Sequence, residues 1–141
     1  MDVINIIKEL EKSLSEVEYI NQFQIIKDET KDIPDMRDNI QDYVSWVSLA
    51  NMGIDFSTGD NFEVLIGVSG VSTKNNEDYL QVVSKCLYGI KKALIDNTYV
   101  KEKDINPLQI TIDSEEKEDS IIIYCYTSFV TDVKLAYGSK V

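Results

Sequence analysis

Carboxylates are the commonest side chains in this sequence that could do chemistry: 25 Asp and Glu against 14 Lys and Arg, with no histidine. Close pairs such as Asp113/Glu115 and Glu118/Asp119 are of the type that shares acid and nucleophile work in sugar hydrolysis, where two carboxyls flank one bond. Here they fall in Asp113-Ser-Glu-Glu-Lys-Glu-Asp119, which reads as a solvated hairpin tip and frames no pocket. Lack of histidine removes the commonest general base and metal ligand. Gly67-Val-Ser69-Gly70 has the wrong spacing for a nucleophile elbow, and no imidazole exists to activate Ser69. No glycine-rich loop runs into Lys-Ser/Thr, so a P-loop phosphate cradle is missing. Asp28, Glu29, Asp32, Asp35, Asp38 and Asp42 do not alternate as a calcium loop requires. Cys86 and Cys125 have no second Cys or His at ligand spacing and read as small core residues in a reducing compartment. The expectation is a protein that is not an enzyme, with no catalytic residue, cofactor or metal site.

A net charge of −11, with Arg37 the only arginine, repels phosphate backbones and argues against a nucleic-acid-binding face. It would suit a surface to which DNA must not stick. Hydrophobic residues make up 43% and aromatics 9%, enough to build a core in one domain spanning residues 1–141. Met1-Asp-Val-Ile-Asn lacks the basic start of a signal peptide, and no apolar run approaches the roughly 18–20 residues of a membrane span. The reading is a chain made and kept in a cytoplasm, with no membrane partner.

The elements that would position any site follow from periodicity. Val3, Ile6, Ile7, Leu10, Leu14 and Val17 form one helical stripe. Tyr19 to Lys27 reads as a strand, and the acidic stretch Asp28 to Asp42, with Pro34, as a loop that can end in a helical turn over Met36 to Gln41. Tyr43 to Phe56 is rich in strand formers, with Asn51-Met-Gly53 marking a bulge, a kink or a turn between two strands. Trp46 reads as a core anchor in preference to a subunit contact. Ser57-Thr-Gly-Asp-Asn61 signals a hairpin turn.

Phe62, Val64, Ile66 and Val68 then share one face of a central strand, with Leu65 on the other. Asn76 is the expected cap of a helix over Glu77 to Ile95, whose packing stripe is Leu80, Val83, Leu87, Ile90 and Leu94. Gly89 within it suggests close approach of another backbone, and Asn97 a left-handed stop. Tyr99 to Asn106 reads as a polar connection. Leu108, Ile110 and Ile112 alternate as in a half-buried strand. Ser120 to Val133 is apolar on both faces: Ile121, Ile123 and Cys125 on one, Ile122, Tyr124 and Tyr126 on the other. Residues 135–141 read as a tail that is ordered only when something holds it. The expected fold class is α+β, a mostly antiparallel sheet covered by two amphipathic helices.

This order resembles the tail-terminator (tail-completion) proteins of long-tailed bacteriophages and phage-tail-like bacteriocins. The residues that carry the likeness are the helix Val3 to Val17, the irregular strand region with its acidic loop, the strand Phe62-Glu-Val-Leu-Ile-Gly-Val-Ser, the helix pattern Tyr79-Leu80-x-x-Val83-x-x-x-Leu87-x-x-Ile90-x-x-x-Leu94 and the closing hairpin. The resemblance implies a virion structural protein that caps the tail tube with a ring, typically a hexamer, and offers the surface for head joining. Implied partners are further copies of itself, the tail tube protein, a sheath protein in contractile tails and neck proteins. The implied location is the tail–neck region of a virion or phage-tail-like particle, made in a bacterial host's cytoplasm.

On that reading Tyr43, Trp46, Ile122, Tyr124 and Tyr126 are candidates for the subunit interface. Asp35, Asp38, Glu115, Glu116 and Glu118 are candidates for facing the lumen, where negative charge keeps DNA from adhering. A neck or head–tail connector subunit is the alternative. A small cytoplasmic ligand-binding or regulatory domain, with an apolar pocket and no ring, is the second alternative.

Overall fold

A computed structural model describes residues 2–26, 43–56 and 59–133. The elements are α1 (Asp2–Ser15), β1 (Ile20–Ile25), β2 (Tyr43–Asp55), β3 (Gly59–Ser72), α2 (Asn76–Ile95), α3 (Glu102–Ile105), β4 (Thr111–Glu116) and β5 (Ile121–Val133). Five strands form one sheet in the order β1-β2-β3-β5-β4. β1 is parallel to β2, and every other pair is antiparallel. The fold is therefore α+β, with a mostly antiparallel sheet, as the periodicities imply.

The core lies between one sheet face and the two long helices. Val64, Ile66 and Val68 of β3, Val47 of β2, and Ile123, Cys125 and Phe129 of β5 meet Ile6, Leu10 and Leu14 of α1 and Cys86, Ile90 and Leu94 of α2. Period two in the strands and 3.6 in the helices puts these residues on facing surfaces. Burying a side chain of this size stabilises by roughly 1.5–3 kcal/mol, so the inner face carries most of the driving force. Polar contacts then fix how the helices lie together. Asn97 is buried after α2, where its Nδ2 donates to the Ile6 carbonyl at 3.0 Å and its Oδ1 accepts from the Tyr99 N–H. Lys92 Nζ bridges Asp96 at 2.6 Å and Glu16 at 3.3 Å.

Several expectations are corrected. Asn75, not Asn76, caps α2 by accepting the Glu77 N–H at 2.9 Å. Leu80 is 66% exposed, and the packed stripe instead runs through Val82, Val83, Cys86, Gly89, Ile90, Ala93 and Leu94. Gly89 admits side chains and not a backbone: a Cβ there would stand 2.9 Å from Ile20 Cδ1. Asn97 takes no left-handed conformation, since no non-glycine residue described has a positive φ. A short helix, α3, interrupts the connection between α2 and β4.

β4 begins only at Thr111 and takes in Asp113 to Glu116, so the acidic turn shrinks to the tip where Lys117 N bonds Ser120 O. It lies outermost in the sheet, so every residue of it is exposed and its alternation buries nothing. β2 is one continuous strand whose register against β3 shifts between Leu49 and Asn51, so the bulge is the correct one of the three readings. A similar shift at the start of β1 brings Ile20 to the core side with Phe23. The expected loop Asp28 to Asp42 with Asp35 and Asp38, the turn residues 57–58 and the 135–141 tail lie outside the described residues.

Candidate interaction surface

The outer sheet face, away from the helices, holds four of the residues singled out for a subunit contact. Trp46 and Ile122 are each 1% exposed, while Tyr124 and Tyr126 are half-buried. Trp46 lies in register with Gly67 on β3 and meets Tyr124 edge-to-face, 6.5 Å between ring centroids. Val44, Val71, Ile122 and Tyr124 make a small second apolar cluster beside it. Trp46 Nε1 and Ser69 Oγ are buried without a hydrogen-bond partner among the described residues. Tyr43, the fifth candidate, belongs to the core on the helix side instead.

Tyr43 packs edge-to-face on Tyr19, 5.0 Å between centroids, and Lys85 Nζ of α2 sits 5.1 Å and 5.7 Å from those two rings. The Tyr19 hydroxyl donates to the Lys85 carbonyl at 2.9 Å, which ties the ring to the helix. A cation over two ring faces is held by their quadrupoles. Burial, followed by the nearby Cys86, pushes the Tyr43 hydroxyl up from its ordinary 10.0 to about 12. Cys86 and Cys125 are both buried and unbridged, and the Cys86 thiol is pushed up by its hydrogen bond to Cys125 and by burial. A thiol held in this way is a poor nucleophile.

Glu115, Glu116 and Glu118 are exposed along β4 and its tip. Lys117 Nζ meets Glu115 at 2.6 Å, and the Tyr124 hydroxyl donates to the same carboxylate at 3.3 Å. The sheet edge formed by β4 therefore carries Asp113, Glu115 and Glu116, a placement that discourages strand addition there.

Several large apolar side chains left in water lie elsewhere. β1 ends at Ile25, opposite Val47, so among the described residues no strand flanks the outer edge of β2 beyond that point. Together with the start of β3, itself paired with the end of β5, this distal part of β2 forms an arm of the sheet that bears Leu49, Met52, Ile54 and Phe56, exposed by 45, 48, 52 and 100%. Strand-former composition hides this feature, because a strand rich in Leu, Ile and Phe reads as core. The available signal was length: the run of strand formers extends well past the six residues of β1. At the opposite end of β3, the start of α2 bears a shallow open depression of about 420 Å³, lined by Glu77, Leu80, Gln81, Ser84 and Lys85.

Among the described residues, no group of three or more His, Cys, Asp or Glu is placed to hold a metal ion. No helix described is long and apolar enough to cross a membrane. No protein-family model matches the chain, and no curated protein matches it.

Proposed function

We propose that this chain is a structural subunit that caps and terminates a phage-type tail tube by forming a ring, and that offers the surface on which the head-side neck proteins dock. The observation that carries this reading is the order of elements: one amphipathic helix, three strands, a second long helix on the same sheet face, then a closing hairpin. That order is the one by which the sequence resembles tail terminators. Two further features support it. The sheet edge at β4 and its tip present Glu115, Glu116 and Glu118, the acidic surface expected of a conduit wall beside DNA. The β2–β3 arm presents apolar side chains that a monomer does not need, as a subunit of a larger assembly would. On this reading the protein catalyses nothing. Its partners are its own copies, the tube protein, the sheath where there is one, and the neck.

The test adds purified protein to polymerising tube subunits from the same genome. Elongation should stop at amounts far below one chain per tube subunit, because a ring acts only at the growing end. Tubes that keep growing in excess protein would contradict termination. If tails from cells lacking the gene then have normal length but fail to join heads, the chain is a connector.

A further inference from the structure

We propose that the connection between β1 and β2, residues 27–42, crosses the outer face of the sheet and seals Trp46 beneath it. That face is then a second interior of the chain, and Trp46 and Ile122 are closed to any neighbouring subunit. The proposal stands apart from the tail reading. Burial comes first. Val44, Trp46, Ser69, Val71 and Ile122 are each 5% exposed or less. Their registers, Val44 with Ser69, Trp46 with Gly67 and Ile122 with Val71, put them on the face opposite Val47, Ile66 and Val68. Side chains stand roughly perpendicular to a sheet, so neighbours on the same face shield their flanks and leave their tips. An indole 1% exposed needs a cover, yet α1, α2 and α3 all pack against the other face, through Leu10, Ile90 and Ile105.

The hand of the connections decides which segment supplies the cover. β1 and β2 are parallel, and so are β3 and β4, since each of the latter is antiparallel to β5. Both crossovers step the same way along the order β1-β2-β3-β5-β4, but β1 and β2 run opposite to β3 and β4. Crossovers between parallel strands are right-handed in ~98% of cases. Two of one hand that step the same way between strands of opposite direction must lie on opposite faces. α2 carries the β3–β4 crossover over the inner face. The β1–β2 crossover therefore takes the outer one, above Trp46.

Length selects the same segment. β1 ends at Ile25, opposite Val47, and β2 begins at Tyr43, opposite Ile20, so the chain must return about 13 Å along the sheet. Sixteen residues, about 53 Å when extended, leave ample chain to reach β5 and come back. They include Ile33, Pro34, Met36 and Ile40, apolar residues suited to an indole and to Ile122. The C-terminal stretch 134–141 cannot substitute. It follows Val133, eleven residues or about 36 Å along β5 from Ile122, and its own eight residues reach about 29 Å at most.

Trp46 is the only tryptophan, so its fluorescence in the full chain reads the cover directly. In the parent, acrylamide should quench it weakly at every protein concentration. Replacing residues 29–40 by a Gly-Ser stretch of equal length should raise quenching several-fold and shift emission to the red, while truncation after Val133 should change neither. Circular dichroism checks the fold. Should the linker variant fail to fold, Ile33→Ser with Ile40→Ser removes apolar contacts alone and should raise quenching by a smaller factor. Unchanged quenching in a folded variant of either kind would overturn the proposal. Quenching that rises only on truncation would assign the cover to the C-terminal stretch, and parent quenching that rises on dilution would assign it to a second copy. Either result overturns the proposal as well.

Discussion

The indole of Trp46 occupies the space that a side chain at position 67 would need. A Cβ on Gly67, its register partner across β2 and β3, would stand 2.5 Å from Cε2 and 2.7 Å from Cη2. The indole is walled in by Tyr124, and its cross-strand partner is Gly67, so a larger residue cannot be fitted by a small shift. Gly67→Ala should therefore destabilise by about 1–3 kcal/mol, the usual cost of overpacking. Urea denaturation measures it, and a variant within about 0.5 kcal/mol of the parent would show that the outer face is loosely packed.

Leu80 and Ile90 separate the two faces of α2. Ile90 is 0% exposed in the core, and Ile90→Ala should cost about 2–5 kcal/mol. Leu80→Ala, on the exposed side, should stay within about 0.5 kcal/mol. Equal costs in the same urea experiment would contradict the orientation of the helix.

The cap of α2 makes a finer distinction. Asn75 accepts the Glu77 N–H, and Asn76 is already the first helical residue. Asn75→Ala should cost about 1 kcal/mol, while Asn76→Ala should cost little. The reverse order would place the helix start one residue later.

Tyr43 sets an alkaline limit. Its hydroxyl is held protonated to about 12, above its ordinary 10.0, chiefly by burial and then by the neighbouring Cys86, Tyr19 and Asp78. The unfolded chain releases this proton first, so the contribution is complete below pH 10 and is lost as pH rises towards about 12. Tyr43→Phe should flatten the fall of the urea midpoint across that window. An unchanged pH profile would mean that Tyr43 ionises as freely folded as unfolded.

Acid reversal at β4 should be silent in folding. Glu116→Lys with Glu118→Lys changes two exposed side chains and should leave stability within about 0.5 kcal/mol by thermal melting. Failure to fold would show that the acidic edge is structural.

Periodicity made the inner face readable, because Val64, Ile66 and Val68 or Ile6, Leu10 and Leu14 can be buried together in only one secondary structure. It failed where apolar residues stay in water. Leu80 fits the stripe at steps of three and four yet lies at the edge, beyond reach of the sheet, and the Val82–Val83 pair takes its place. Met52 and Ile54 look like core strand residues but are 48 and 52% exposed, and the sequence of a strand does not record what lies above it. Ile112 alternates correctly on β4 and remains 45% exposed because that strand lies outermost in the sheet. Ile122, Tyr124 and Tyr126 stand out as part of a two-sided apolar strand, and Tyr43 and Trp46 as members of a run of strand formers, patterns that buried and exposed positions share. Only the structure distinguishes Trp46, enclosed against Gly67, from Phe56, fully in water.

The central claim is that this chain ends a tail tube, and the most direct measurement is the length distribution of tubes in particles from cells with and without its gene. Imaged by electron microscopy, tubes from cells lacking it should vary widely in length, and supplying the gene on a plasmid should restore one narrow peak. A narrow peak in both strains would contradict the account.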